Sequence, residues 1–371
     1  MEEEHKLKRK QIIALVLAVF LAAIAFTGCT EGKPAATDTA TTAAATQAPV
    51  EQAAADEETE TPAEVDYSQF KVGFAQDTLN QPWRNYQAEC VKSVFASYGI
   101  TCEVTDGQGK SEQQISNIED MIVNGLDLLV VSPAQEGALT PAVEQVYNAG
   151  IPVVCIDRGI ISDAYTTWVH ADNKLIGAMA ADFIAEKLTE KYGEAKGNIV
   201  VLEGVPGSTT AVQRDEGFRA RITEKYPNLT IIASQPADYR RDTAMSVMED
   251  FLQAYDVIDA VYTHADEMTM GAIAAIENAG RRDEMIIASV NGTMEAIKAI
   301  MDGRMDCTVL YSNCSGPGVA YAVKILLGEE VPKNVTIDPV MIDAANAAQF
   351  YKEGIYSPDP MSLDEVTYTI N

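Results

Sequence analysis

The chain runs to 371 residues and carries 27 basic against 55 acidic side chains, a formal net charge of −28. A surface so acidic repels nucleic acid and anionic lipid headgroups, so neither is expected as a partner. With 47% hydrophobic residues there is ample material for a core, and the length exceeds what one typical core uses.

The N-terminal tract stands apart. Glu2 to Glu4 partly offset Lys6, Lys8, Arg9 and Lys10; residues 12–26 are then uncharged and apolar, and small residues follow in "TGC". This is a secretory signal pattern, short for a spanning helix, although the uncharged stretch from Gln11 to Thr30 just suffices for an uncleaved anchor. "FTGC" resembles a bacterial lipobox with Phe26 where Leu is usual. That resemblance implies a signal peptide over 1–28, cleavage before Cys29 and a diacylglyceryl group on its sulfur, and two acyl chains hold a protein on a membrane far better than one. Either way the remaining chain lies on the outer face of the cytoplasmic membrane, and the lipid anchor is its only expected membrane contact. Residues 30–66 read as a disordered tether. Nineteen of the 37 are Ala or Thr and none is aromatic, so they cannot bury enough apolar surface to offset their ordering entropy. As a flexible coil the tether spans roughly 35 Å root-mean-square.

About 305 residues remain, right for two domains. From Phe70 onward, strand-like runs recur: "KVGFA" (71–75), "TCEV" (101–104), "DLLVVS" (127–132), "PVVCI" (152–156), "NIVVL" (198–202), "LTIIAS" (229–234), "AVYTH" (260–264), "MIIASV" (285–290) and "CTVLY" (307–311). Helical apolar spacing fills the gaps, as in Ile115, Ile118, Met121 and Ile122. The alternation predicts an α/β fold with doubly wound parallel sheets. Pro82 suits a first helical position, Asp172 or Asn173 caps 174–191, and Asp266 caps 267–279. Gly99, Gly125, Gly150 and Gly280 fall just past helix ends, where a left-handed residue is needed.

After Cys29 five cysteines remain, Cys90, Cys102, Cys155, Cys307 and Cys314, with no C-x-x-C pair. The odd number argues against a disulfide framework or a zinc site, although Cys90 with Cys102, or Cys307 with Cys314, lie close enough in sequence to pair after export. Cys155, inside an apolar run, is expected to be a small core hydrophobe.

In open α/β sheets the ligand crevice lies beyond the carboxyl ends of the strands. Gln76 and Asp77, Ser132, the pair Asp157-Arg158, Ala265 and Asp266, Asn291 and Tyr311 all stand at such ends. Singly, strand-end polar residues do no more than cap helices; Asp157 and Arg158 together, a carboxylate beside a guanidinium ending the buried run "VVCI", point to a ligand.

Residues 70–342 resemble the type I periplasmic sugar-binding proteins of the ribose-binding group, nearest to the galactofuranose-binding kind. The likeness is carried by "DTLNQPWRNY" (77–86), "DGQGKSEQQISNIEDMI" (106–122), "IPVVCIDRG" (151–159), "HADNKLIGAMAADFI" (170–184), "LEGVPGSTTAVQRDEGF" (202–218), "ASQPADYRRDTAMSVMEDFL" (233–252), "DEMTMGAIAAI" (266–276) and "NGTMEAIKAIMDG" (291–303). It implies two doubly wound lobes joined by a three-crossover hinge. Lobe one is then 67–170 plus 312–337, and lobe two with the tail is 171–311 plus 338–371, with crossovers near 170–172, 310–312 and 337–340. It implies a monosaccharide, pentose or hexose, bound between lobes that close by hinge motion, and delivery to the transmembrane subunits of an ABC permease by a monomer without cofactor or metal.

Asp157 and Arg158 match the family's most characteristic sugar-binding pair, Trp83 a stacking aromatic, Arg214 the lobe-two arginine, Tyr239 the lobe-two aromatic, and Arg84 the galactofuranose-type "WR". With Asp77, Gln81, Ser132, Asn291 and Tyr311 these make the expected ligand-binding set. The chemistry fits: sugar hydroxyls both donate and accept, suiting carboxylate, amide and guanidinium partners, while the C–H faces of a sugar ring suit aromatic side chains. Core packing is the plainer reading of Trp83 and Tyr239, a surface salt bridge that of Arg214. The chain departs from the pattern at Ala265, where Asn is usual, and at Asn291, where Asp is usual; His170 or His264 are candidates to fill the gap, capping being their plainer role.

An enzyme needs a nucleophile with a base, a metal set or paired carboxylates. There is no G-x-S-x-G, H-E-x-x-H or Walker A motif, and "GVPGSTT" (204–210) lacks the lysine of a phosphate loop. Asp77 and Asp157 leave a glycoside-acting enzyme as a remote alternative. A sugar sensor presenting its closed form to a receptor kinase is the nearer one. A transcription repressor with these lobes is excluded by the export signal, the acidic charge and the lack of an N-terminal DNA-binding helix pair.

Overall fold

A computed structural model describes residues 66–370, Pro360 excepted. The expected signal peptide, the lipid on Cys29 and nearly all of the tether lie outside the described residues. Within them, no helix is long and apolar enough to cross a membrane.

The chain begins β1 (Val72–Gln76), α1 (Pro82–Ser97), β2 (Cys102–Asp106), α2 (Ser111–Val123), β3 (Leu128–Val131), α3 (Glu136–Asn148), β4 (Val153–Ile156) and β5 (Thr167–Ala171). It continues α4 (Asn173–Tyr192), β6 (Gly197–Glu203), α5 (Thr209–Lys225), β7 (Leu229–Pro236), α6 (Arg241–Ala254), β8 (Ala260–Thr263), α7 (Asp266–Asn278), β9 (Ile286–Asn291), α8 (Met294–Met301) and β10 (Cys307–Leu310). Then follow α9 (Ser315–Leu326), β11 (Asn334–Ile337), β12 (Val340–Asp343) and β13 (Tyr368–Ile370). Two sheets result, ordered β13-β11-β5-β4-β3-β1-β2 and β12-β10-β9-β8-β6-β7. All neighbours are parallel except β13 on β11 and β12 on β10. Both sheets wind alike: the first strand of each lobe lies between the second and the third, so each carries a switch point beside its first strand.

The winding follows from the strands' period of two. On the first sheet Phe74, Val130, Val154 and Ile156 face Val91 and Phe95 of α1 and Val319 and Ala322 of α9. Alternate residues Ala75, Leu129, Val131, Val153 and Cys155 face Ile118 of α2 and Leu139, Val143 and Val146 of α3. On the second sheet Val200, Leu202, Val261 and Ile287 meet α6, α7 and α8, while Ile199, Val201, Tyr262 and Val309 meet α4 and α5. Full burial of such a side chain contributes about 1.5–3 kcal/mol, so both faces of both sheets are firmly held.

The chain changes sheet between Ala171 and Asn173, between Leu310 and Ser315, and between Ile337 and Val340. It also changes a fourth time. The tail expected with lobe two returns to lobe one, where β13 pairs antiparallel with β11 (Val335 opposite Ile370, Ile337 opposite Tyr368). Three residues, "YTI", complete that edge, too short a run to announce itself. β5 also lacked a signal, because its outward Trp168 and His170 are only half-buried and break the apolar run. The five cysteines after Cys29 are all free and buried, so neither candidate pair is joined, and Cys155 is wholly buried in its strand.

Helices α4 and α5 cross so closely that a Cβ added at Gly217 would lie 2.0 Å from the Lys174 carbonyl oxygen, and one at Gly177 would lie 2.2 Å from the Arg214 carbonyl oxygen. Backbone meets backbone there, so nothing yields to an added methyl. Gly217→Ala is expected to destabilise the folded chain by about 1–3 kcal/mol, the usual range for overpacking, as measured by urea denaturation. A change below about 0.5 kcal/mol, the level of a neutral surface substitution, would show that the crossing is looser than the geometry says.

Candidate functional site

β4 ends at Ile156, and the next residue, Asp157, has φ +64°, a left-handed conformation rare for a side-chain-bearing residue. The turn is held by Asp157 N–H donating to Val169 O at 2.9 Å and Arg158 N–H to Ile156 O at 2.7 Å. It drives a carboxylate into the interior, where Asp157 is fully buried.

Four charged groups alternate there. Arg84 Nη1 lies 2.5 Å from Asp157 Oδ2, Arg84 Nε lies 3.2 Å from Asp77 Oδ1, and Arg158 Nη1 lies 2.8 Å from Asp77 Oδ2. All four residues are at least 96% buried. Ser132 Oγ donates to Asp157 Oδ2 at 3.3 Å, and the Tyr311 hydroxyl donates to Asp157 Oδ1. Burial alone would raise the Asp157 carboxyl; Arg84 first, then Arg158 and the Tyr311 hydroxyl, outweigh it and hold the group below the usual carboxylate range. Burial likewise opposes the charge of Arg84, and Asp157 and Asp77 more than restore it.

Aromatic rings lie against this chain. The Arg84 guanidinium sits 4.8 Å over Trp83, the Trp83 ring stacks on Tyr311 at 5.5 Å and 26°, and Arg214 covers Tyr311 at 4.4 Å. Arg214 comes from α5 and is fixed by Asn173 Oδ1 at 2.9 Å and the His264 carbonyl at 2.5 Å. Tyr239, at φ +56°, shares a 2.9 Å hydrogen bond with Thr210 Oγ1, and its ring fills the place a Cβ on Gly204 would take. Gln81 Nε2 donates to Asp238 O at 3.4 Å, from lobe one to lobe two.

These groups bound a crevice of about 390 Å³, its open mouth included, lined by Gln81, Trp83, Arg84, Asp157, Arg214, Tyr239, Asn291 and Tyr311 of the expected set. Thr210, Ala265 and Glu267 line it too. Each of them stands at or after the carboxyl end of a strand. Asp77, Ser132 and Arg158 do not line it; they stand behind the wall. Arg158 Nη1 is turned to Asp77 and, at 3.2 Å each, to the Pro133 and Ala134 carbonyls, while its Nε lies 4.0 Å from Asp157 Oδ2 and has no hydrogen-bond partner among the described residues. Thr210 and Glu267 were missed because first-turn helix residues read as caps. Glu267 is held by Arg241 at 2.9 Å and by the Tyr356 hydroxyl at 3.4 Å.

Neither histidine fills the place opened by Ala265. His264 is wholly buried, its Nδ1 accepts from Gly204 N–H at 3.2 Å, and burial, then Arg214, pushes its pKa down to about 3. His170 stacks on Trp168 at 3.9 Å, away from the crevice. Asp266 braces the lobe-two wall from inside, accepting from Ser289 Oγ at 2.6 Å, Thr308 Oγ1 at 2.8 Å and Thr293 N–H at 2.7 Å. Burial pushes its pKa up to about 6 against the pull of those donors.

Two like-wound sheets, with every lining residue at or beyond a strand's carboxyl end, define a two-lobed binding protein. The chain belongs to the periplasmic binding protein domain family, whose model matches residues 72–322. It is 34% identical to the ribose import binding protein of Bacillus subtilis over 242 residues, 65% of this chain and 76% of that protein. It is 33% identical to the galactofuranose-binding protein of Escherichia coli over 275 residues, 72% and 85% of the two chains. A crystal structure of a galactofuranose binding protein superposes with TM-score 0.70 at 31% identity, covering 76% of this chain and 96% of that one. The fructose binding periplasmic domain of a hybrid two-component system superposes with TM-score 0.71 at 32% identity, covering 76% and 92%.

Asp157 is fully buried, so the ligand-free fold depends on it. Asp157→Ala strands one guanidinium edge and the Tyr311 hydroxyl, and the loss of one partner from a buried ion pair costs about 3–5 kcal/mol. Urea denaturation without ligand is the check, and a loss under about 1 kcal/mol, the level of a surface ion pair, would return the pair to a wet cleft.

Asp266 gives a pH signature. Its folded pKa stands above its unfolded one, so its contribution is complete below about pH 4, the ordinary Asp range, and is lost as pH rises through about 6. Asp266→Asn is expected to flatten that part of the stability profile between pH 4 and 8. Parallel profiles for variant and parent would contradict the raised value.

Proposed function

We propose that this chain is an extracytoplasmic solute-binding lipoprotein. It captures a monosaccharide, pentose or hexose, between two closing lobes and delivers it to an ABC permease. Cys29 carries the lipid that holds it to the outer face of the cytoplasmic membrane, and the protein works as a monomer. The observation that carries the reading is the ion pair of Asp157 and Arg84 in the crevice wall, set against the stacked Trp83 and Tyr311, with Arg214 entering from the other lobe. A carboxylate and two guanidiniums take up hydroxyls that both donate and accept, and flat rings take up the C–H faces of a sugar. The Tyr311 hydroxyl already occupies one acceptor of Asp157, so a sugar hydroxyl binds there by exchanging one hydrogen bond for another.

No reaction is needed to account for the crevice. The carboxylates lining it are Asp157 and Glu267, each held by an arginine, and Asp157, kept below the usual carboxylate range, does not offer the neutral acid that glycoside cleavage requires. The likeness to the periplasmic domain of a two-component system supports a second reading with the same crevice, a sensor whose closed form meets a receptor kinase.

A melting-temperature screen with D-ribose, L-arabinose, D-galactose, D-fructose and myo-inositol tests the binding claim. A ligand at 100 times its dissociation constant adds about 2.7 kcal/mol, so a binder among them raises the melting point clearly. The binder is also expected to shrink the radius of gyration. No shift with any of the five would overturn the reading.

A further inference from the structure

The segment beyond β12 takes no part in the crevice, yet residues 351–359 and 361–370 touch both lobes and the crossover between them. On lobe two, Met294 N–H donates to the Tyr356 carbonyl at 2.8 Å, Ser357 Oγ to the Gly292 carbonyl at 3.4 Å, and the Tyr356 hydroxyl to Glu267 Oε1 at 3.4 Å. At the crossover, Asn313 N–H donates to Asp359 Oδ2 at 2.6 Å. On lobe one, the Tyr86 hydroxyl of α1 donates to the Ser357 carbonyl at 3.4 Å, and the Tyr86 and Tyr356 rings lie 5.0 Å apart. Met361 packs so tightly on α9 that a Cβ at Gly316 would fall 2.3 Å from its carbonyl. Beyond it, Glu365 accepts from Met361 N–H at 3.1 Å and Ser362 N–H at 2.9 Å, fixing the turn that leads into β13 on the lobe-one sheet.

We propose that this C-terminal segment is a strap that ties the lobes together across the crossovers and limits how far they turn against each other. Ser357 is the pivot: its hydroxyl bonds lobe two and its carbonyl bonds lobe one, so a relative rotation lengthens one bond or the other. Through Tyr356 the strap also reaches Glu267 in the crevice wall, so the same contacts that restrain the lobes set one lining residue. The proposal rests on the reading that the lobes move.

Spin labels at Val123→Cys, an exposed site on α2, and Val257→Cys, an exposed site of lobe two, report the separation by pulsed electron resonance in the full chain on a Cys29→Ser background. The strap is loosened from its own side by Tyr356→Ala with Asp359→Ala, and separately from lobe one by Tyr86→Ala, which leaves the strap sequence intact if the first variant fails to fold. Without any sugar, both changes are expected to broaden the distance distribution and shift it from that of the parent. Distributions that superimpose on the parent in a folded variant would overturn the strap. Failure of the closing reading is seen elsewhere, in a parent distribution that no sugar shifts, so the two ideas fail separately.

Discussion

The four-membered chain of charge, Asp157 to Arg84 to Asp77 to Arg158, is the constraint on which the lobe-one wall depends. Removing so many charges from water is tolerable only because the signs alternate and each guanidinium lies against a carboxylate. The geometry reaches outward from there. Arg84 bridges the carboxylates that follow β1 and β4, so it fixes the spacing of two strand ends across the switch point. Trp83 lies against the face of Arg84, and Tyr311 lies on Trp83 and donates to Asp157, so the aromatic floor takes its orientation from the ion pairs.

Lobe two is built on another principle. Its wall is braced by hydroxyls: Thr269 and Ser289 share a 2.5 Å hydrogen bond, and Ser289 and Thr308 converge on the buried Asp266. Arg214 is tied to an amide and a carbonyl rather than to a carboxylate, which leaves its positive charge uncompensated by direct contact. One lobe thus meets a ligand with a directly paired carboxylate and guanidinium, Asp157 and Arg84, and the other with the unpaired cation of Arg214 and the Glu267 carboxylate that Arg241 holds. Backbone strain is found on both walls. Asp157, Tyr239 and Asn291 all line the crevice with positive φ and a side chain, a conformation kept where the surroundings over-determine it.

Much of this was legible in the sequence because the signals are local and strong. Nine apolar runs marked nine strands, and the polar residues at their carboxyl ends marked the crevice, since the winding of an open sheet places them together. Glu267 and Thr210 were hidden by their helix-starting positions. The tail was hidden because its contacts are far apart in sequence: Tyr86 with Ser357 spans 271 positions, and no periodicity reports such a pairing.

The free thiols carry a consequence for how the chain matures. Burial pushes the Cys102 and Cys155 thiols up to about 12, and those of Cys307 and Cys314 well above their ordinary value. Thiol–disulfide exchange runs through the thiolate, so the folded chain is inert to oxidants that its unfolded form would meet with every sulfur exposed. Any bridge formed before the sheets close would join residues that belong in separate strands and helices, and it would have to be undone first. In any oxidising surroundings the order of events therefore matters: folding must outpace oxidation, and once it has, the core itself protects the sulfurs.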